Sequence, residues 1–253
     1  MPRDLIAKNV LVLAYHGLSH DWPQQATVTP DDLQAQVRLL LSRGWQGTTF
    51  LEAVSTPSSK RRFAVTFDDA YLSVLDLGLP ILSALGVPGT VFVPTDFADR
   101  AALLDFGTLD RWRGTQWEEE LRCMSWDDLR RLRDAGWEIG SHTHTHRHLT
   151  GLNDRELADE LAAAKARCEE ELGLREVTFA YPFSERDSRV VAAVRSAGYA
   201  AAGADEAASS RPPALHEWPR VSVYRSDSLL RFRVRISPSA RALIRRVGRP
   251  RAN

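Results

Sequence analysis

Short apolar runs alternate along this chain with longer stretches in which apolar positions recur every three or four residues. Val10–Tyr15 is the first run, rich in strand-favouring residues, and it ends at His16-Gly17. Thr29-Pro30-Asp31-Asp32 then supplies a cap residue, a proline at the first helical position and acids in the first turn, which predicts a helix through Arg43. Further strands are predicted at Phe63–Phe67, Gly89–Val93, Trp137–Gly140, Val177–Tyr181 and Tyr199–Ala202, with a seventh at Val221–Tyr224. Between them, Tyr71–Leu85 reads as a helix stopped by Gly86, with Pro80 expected to break or kink it. Ser125-Trp126-Asp127-Asp128 opens a helix ending at Gly136, Asn153 caps one to Leu172, and Asp187–Ala197 is the last.

Strands alternating with helices imply an α/β fold with a mainly parallel sheet, flat or closed. Sites in such folds sit at the C-terminal ends of strands. That rule places His16, Asp68-Asp69, the segment from His142, and Pro182-Phe183 on one rim. Phe97–Cys123 reads as an inserted loop over the same face.

Composition narrows the classes. With 253 residues, 43% hydrophobic and 26% charged, the chain is globular and too short to divide comfortably into two domains. Zero net charge argues against nucleic acid as a partner. Two cysteines, Cys123 and Cys168, supply neither a disulfide framework nor a four-ligand zinc site. Val10–Tyr15 is too short for a membrane helix and short for a signal-peptide core, and Asp4 interrupts what precedes it, so a cytoplasmic location is expected. After Asp227 the chain carries eight arginines and no acid. We divide it into a domain over 1–236 and a basic tail over 237–253. Within the tail, Ala240, Leu243, Ile244 and Val247 share a helical stripe. That segment is either solvated or a surface helix making peripheral membrane contact.

Ser141-His142-Thr143-His144-Thr145-His146-Arg147-His148 holds four of the seven histidines. Imidazole is the commonest ligand for zinc and similar divalent metals, although a histidine-rich tract also arises as a plain surface cluster. If the segment were a strand, its spacing would send all four rings to one side. Thr66-Phe67-Asp68-Asp69 ends a strand with adjacent carboxylates that repel unless a cation is near; the alternative is a helix cap and a turn.

Together, Thr66-Phe67-Asp68-Asp69 and His142-Thr143-x-x-His146 in a Gly-Ser-His-Thr context resemble the polysaccharide deacetylases, the NodB-homology enzymes of carbohydrate esterase family 4. The resemblance runs from Val10 to Val223. It implies a single-domain, distorted (β/α) barrel of about seven parallel strands and a hydrolase that removes an acetyl group from an amino sugar. It implies one divalent metal ion, zinc first and cobalt, iron or nickel as alternatives, on Asp69, His142 and His146, with Asp68 as general base. Phe179-Ala180-Tyr181-Pro182-Phe183 resembles the third family motif and would make the Phe183 N–H the oxyanion donor. Ala180 stands where the family often has arginine, and Arg220 is the candidate substitute. No histidine follows His216, so the family's C-terminal Leu-x-His is missing. Leu13-Ala14-Tyr15-His16-Gly17 instead resembles the N-terminal element of the branch containing poly-N-acetylglucosamine deacetylases, which implies His16 as general acid. His144 and His148 are left without a role. The expected partner is an amino sugar or polysaccharide, or its lipid- or nucleotide-linked precursor. The rival readings are another amidohydrolase or metallo-β-lactamase type of site, and a non-catalytic carbohydrate-binding protein.

Overall fold

In the computed structural model the described residues are 9–205, 213–237 and 239–241. Its framework is a sheet of parallel strands: β1 (Val10–Tyr15), β2 (Gln46–Thr48), β3 (Arg62–Phe67), β4 (Gly89–Val93), β5 (Glu138–Ser141), β6 (Phe179–Ala180), β7 (Ala202–Asp205) and β8 (Trp218–Ser222). The order β1-β8-β7-β6-β5-β4-β3 closes on itself because β1 also pairs with β3, from Val10↔Arg62 to Tyr15↔Phe67. Seven strands therefore make a closed barrel. β2 lies outside that count: it borders the first half of β3, and β4 borders the second half from Val65↔Gly89 onward.

Every residue of β1, β3 and β4 is buried, as expected for parallel strands covered on both faces. The cover is a ring of helices. α1 (Pro30–Ser42) starts where Thr29 Oγ1 accepts from the Asp32 N–H at 3.1 Å, and α2 (Phe50–Ser55) follows β2. A wide π turn over Val74–Gly78 leads into α3 (Leu79–Ala84). Pro80 lies inside one continuous helical stretch from Leu72 to Ala84, and the irregularity expected at the proline takes the form of the widened turn just before it. α4 (Thr95–Arg100) follows β4, α5 (Trp126–Asp134) and α6 (Asp154–Leu172) each begin with a capping box, and α7 (Ser188–Ser196) and α8 (Leu229–Arg235) complete the set.

Several strands shift in detail from the sequence expectation. β7 lies over Ala202–Asp205 instead of Tyr199–Ala202, because its Ala-Gly-Ala-Asp sequence has no β-branched residue to mark it. β8 begins at Trp218 instead of Val221, since Pro219 and Arg220 read as a strand break although both are buried in the ladder. β2 and α2 had no strong apolar pattern and were not anticipated. The inserted segment after α4 forms short 3-10 turns over Leu109–Trp112 and Glu118–Leu121. No helix among the described residues is long and apolar enough to cross a membrane. The stripe expected at Ser239–Val247 lies largely outside the described residues, which end at 241.

Candidate active site

A cavity of about 1330 Å³ opens on the C-terminal ends of the barrel strands. It is lined by His16 after β1, Asp68 and Asp69 after β3, His142 and His146 after β5, Phe183 after β6 and Arg220 from β8. The seven residues singled out from sequence thus share one cavity. The backbone around them is unusual. Seven non-glycine residues among those described have positive φ, and six of these are Asp69, Ala70, Thr143, His146, Phe183 and Ser184. Such left-handed conformations are disfavoured for side-chain-bearing residues and persist where the surroundings enforce them, often at functional sites.

The histidine segment is a loop, not a strand, so its four rings do not share one side. His142 and His146 turn inward, both nearly fully buried. The Asp69 carboxylate Oδ1 lies 3.4 Å from His142 Nε2 and 3.3 Å from His146 Nε2. His142 Nδ1–H donates to the Ala180 carbonyl at 2.8 Å, which leaves the Nε2 lone pair facing Asp69. Burial pushes the His142 pKa down to about 4 against the pull of Asp68, so the ring is neutral at pH 7. Burial works to raise the Asp69 pKa, but the three facing histidines outweigh it and hold the carboxylate ionised.

Lone pairs of a carboxylate and a neutral imidazole repel at this distance unless a proton or cation lies between them. Asp69 Oδ1 is buried and makes no hydrogen bond. Donor atoms bound tetrahedrally at about 2.1 Å lie roughly 3.4 Å apart, which matches both Asp69 spacings. The donor set therefore fits a divalent cation, and it is the one such cluster found among the described residues.

His146 is held differently from His142. Its N–H donates to Thr143 Oγ1 at 3.0 Å, but its ring Nδ1 has no hydrogen-bond partner. The ring instead stacks on Phe106 at 3.6 Å between centroids and meets Phe183 edge-on at 4.8 Å. Phe106 comes from the inserted segment; nothing in its local sequence marks it, and only the loop's expected position over the rim hinted at a contribution. Glu160 of α6 braces the same loop by accepting from the Thr145 N–H at 2.5 Å. His144 points away and pairs through Nδ1 with Thr95 Oγ1 at 2.9 Å. His148 is exposed, stacks on Phe183 at 4.0 Å and pairs with Glu185 at 2.9 Å. No His-x-His pair converges on a common point, which removes the basis of the amidohydrolase alternative.

Beside the cluster, Asp68 is gripped by Arg220, with Nη1 donating to Oδ1 at 2.7 Å and Nη2 to Oδ2 at 2.8 Å. Both are buried. Burial alone would raise the Asp68 pKa; the Arg220 guanidinium, and behind it His142, reverse this and hold the carboxyl well below the usual carboxylate range. Arg220 reaches Asp68 across the barrel because Gly203 of β7 leaves room. A Cβ at Gly203 would stand 2.6 Å from Arg220 Cδ and 2.9 Å from its Nε. Gly203→Ala is therefore expected to displace the guanidinium and raise the Asp68 pKa. The acid limb of the rate profile should move to higher pH, with roughly a tenfold or greater fall in turnover at pH 7. An unchanged pH profile would show that Arg220 does not govern this carboxylate.

A family model described as polysaccharide deacetylase matches residues 55–202. The Bacillus subtilis protein YxkH, itself assigned to the polysaccharide deacetylases, is 23% identical over 218 residues, covering 84% of this chain and 70% of its own. The Streptococcus pyogenes deacetylase PplD, solved with acetate, superposes with a TM-score of 0.75 at 17% identity over 90% of this chain and 98% of its own. IcaB from Ammonifex degensii superposes at 0.70 and 23% identity, covering 94% and 97%. At these identities the solved structures speak for the fold. The matched family model covers more than half of the sequence, and the chain belongs to the polysaccharide deacetylase family, hydrolases that cleave an amide carbon–nitrogen bond.

Proposed function

We propose that this protein uses one divalent cation, held by Asp69, His142 and His146, to remove N-acetyl groups from amino sugars in a polysaccharide. The observation that carries the reading is the buried Asp69 oxygen facing two imidazole Nε2 atoms, with the Asp68–Arg220 pair beside it in one cavity. A cation bound there would supply Lewis acidity, polarising the amide carbonyl and acidifying a water.

The remaining steps belong to the chain. Asp68, kept ionised and fixed in orientation by Arg220, takes a proton from the attacking water. The Phe183 N–H donates to the oxyanion as the carbonyl carbon becomes tetrahedral. His16 delivers a proton to the departing amine. A cavity of about 1330 Å³ exceeds the usual range for small-molecule sites. Phe106, Phe183 and Tyr224, which reach the cavity surface, offer apolar faces against which sugar rings pack. Both features favour a substrate of several residues over a monosaccharide. A non-catalytic carbohydrate-binding role rests on the missing motif arginine and the missing C-terminal Leu-x-His; the Arg220 contact with Asp68 and the place of His16 in the cavity wall favour the catalytic reading.

The test is acetate release by protein stripped of metal and reloaded in turn with zinc, cobalt, iron or nickel. The panel is β-1,6- and β-1,4-linked N-acetylglucosamine oligomers, peptidoglycan and free N-acetylglucosamine. Release from at least one oligomer, exceeding that from the monosaccharide, is expected. Binding of oligomers with no acetate from any metal form would return the reading to a binding protein.

A further inference from the structure

Among the described residues, large hydrophobic side chains stand exposed at two places. One is Phe183 in the active cavity. The other is α8, where Leu229, Leu230 and Val234 are 40%, 69% and 57% exposed. Leu230 and Val234 are four residues apart and so share a face, while Phe232 on the opposite side is buried in the core together with the following Ile236. The helix is thus anchored inward and apolar outward as well. Isolated exposed leucines are ordinary, but their confinement to one short helix is not.

The charged side chains of α8 itself are all basic. Arg231 and Arg233 are exposed on α8, and neither forms an ion pair among the described residues. Arg235 is neutralised by Asp227, an ion pair that also fixes the start of the helix against the preceding turn. Beyond Asp227 the sequence has no acid at all. An apolar strip beside exposed guanidinium groups that meet no carboxylate among the described residues matches a surface that offers hydrocarbon beneath diffuse negative charge.

We propose that α8 docks this protein peripherally on anionic phospholipid, with Leu229, Leu230 and Val234 entering the interface and Arg231 and Arg233 engaging headgroup phosphates. The site is adjacent to the active cavity. Tyr224 lines the cavity and lies under Arg235, and Arg225 donates to the carbonyls of Ser19 and His20 in the loop after β1. Docking through α8 would hold the cavity rim close to the lipid. This inference does not depend on the assigned chemistry, because it is read from binding alone.

The experiment is co-sedimentation of the full chain with phosphatidylcholine vesicles, with and without phosphatidylglycerol. Binding to the anionic vesicles about tenfold or more above the neutral ones, falling with added salt, is expected. Leu230→Glu with Val234→Glu should abolish it, and Arg231→Gln with Arg233→Gln should remove the anionic preference. All four positions are exposed, so unchanged thermal melting of both variants serves as the folding control. Absence of vesicle binding by the wild type would overturn the proposal. So would undiminished binding by both variants, which would place the contact elsewhere on the chain, or binding to polyanionic RNA with none to vesicles.

Discussion

Alanine at Asp69, His142 or His146 is expected to lower affinity for zinc or cobalt by more than about 100-fold, whereas alanine at His144 or His148 should change it by only a few-fold. The difference follows from what each ring touches. Asp69, His142 and His146 converge through three buried donor atoms with no other partner on the facing sides. His144 is occupied by Thr95 and His148 by Glu185 and the Phe183 ring. Phe106→Ala should fall between the two groups. It leaves every donor atom in place but removes the ring that orients His146, an imidazole with no hydrogen bond at Nδ1 to do the same job. Such orienting groups are usually worth about 10–100-fold in metal affinity. Isothermal titration of the apo protein measures all of these. A His144→Ala loss as large as that of His142→Ala would overturn the ligand set.

What the sequence discloses about this molecule depends on the kind of signal each residue carries. The barrel is legible because buried parallel strands are continuous apolar runs bounded by caps and glycines. Val10–Tyr15, Gly89–Val93, and the Asn153 and Gly173 helix boundaries are placed by those marks alone. β7 is displaced from its expectation because its core-facing surface is made of small residues, and they are small for a tertiary reason: Gly203 must admit the Arg220 side chain from the next strand. Local propensity has no access to that requirement. Arg220 is a harder case still, since an arginine after a proline reads as a loop until Asp68 is known to face it across the barrel. The rim residues are legible as a group because they sit at strand ends. The divergence of the histidine run is not, because it depends on left-handed turns at Thr143 and His146 held by Thr143 Oγ1 and Glu160. Phe106 lies in a segment of short turns, and its contact with His146 exists only once the inserted loop folds over the rim.

Replacing His16 by alanine is expected to lower turnover of an unactivated acetamide by on the order of 10²–10⁴, the usual range for a lost general acid, while leaving fold and metal content intact. An amide nitrogen cannot depart as an anion, so some group must protonate it. Asp68 is a poor donor because Arg220 keeps its carboxyl well below the usual carboxylate range. Among the histidines, His144 and His148 are engaged elsewhere, His216 is tied through Nε2 to the Tyr199 carbonyl at 2.9 Å, and His20 is exposed outside the cavity wall. His16 lines the cavity, and its Nδ1 is buried without a competing partner. Imidazole is also the side chain that exchanges a proton near neutral pH. Loss of the donor should matter less as the leaving group improves, so an aryl acetate is expected to recover most of the rate that an N-acetyl sugar loses. Near-normal turnover of the N-acetyl sugar by His16→Ala would pass the role to another residue, and an equal deficit on both substrates would show that His16 positions the site without donating the proton.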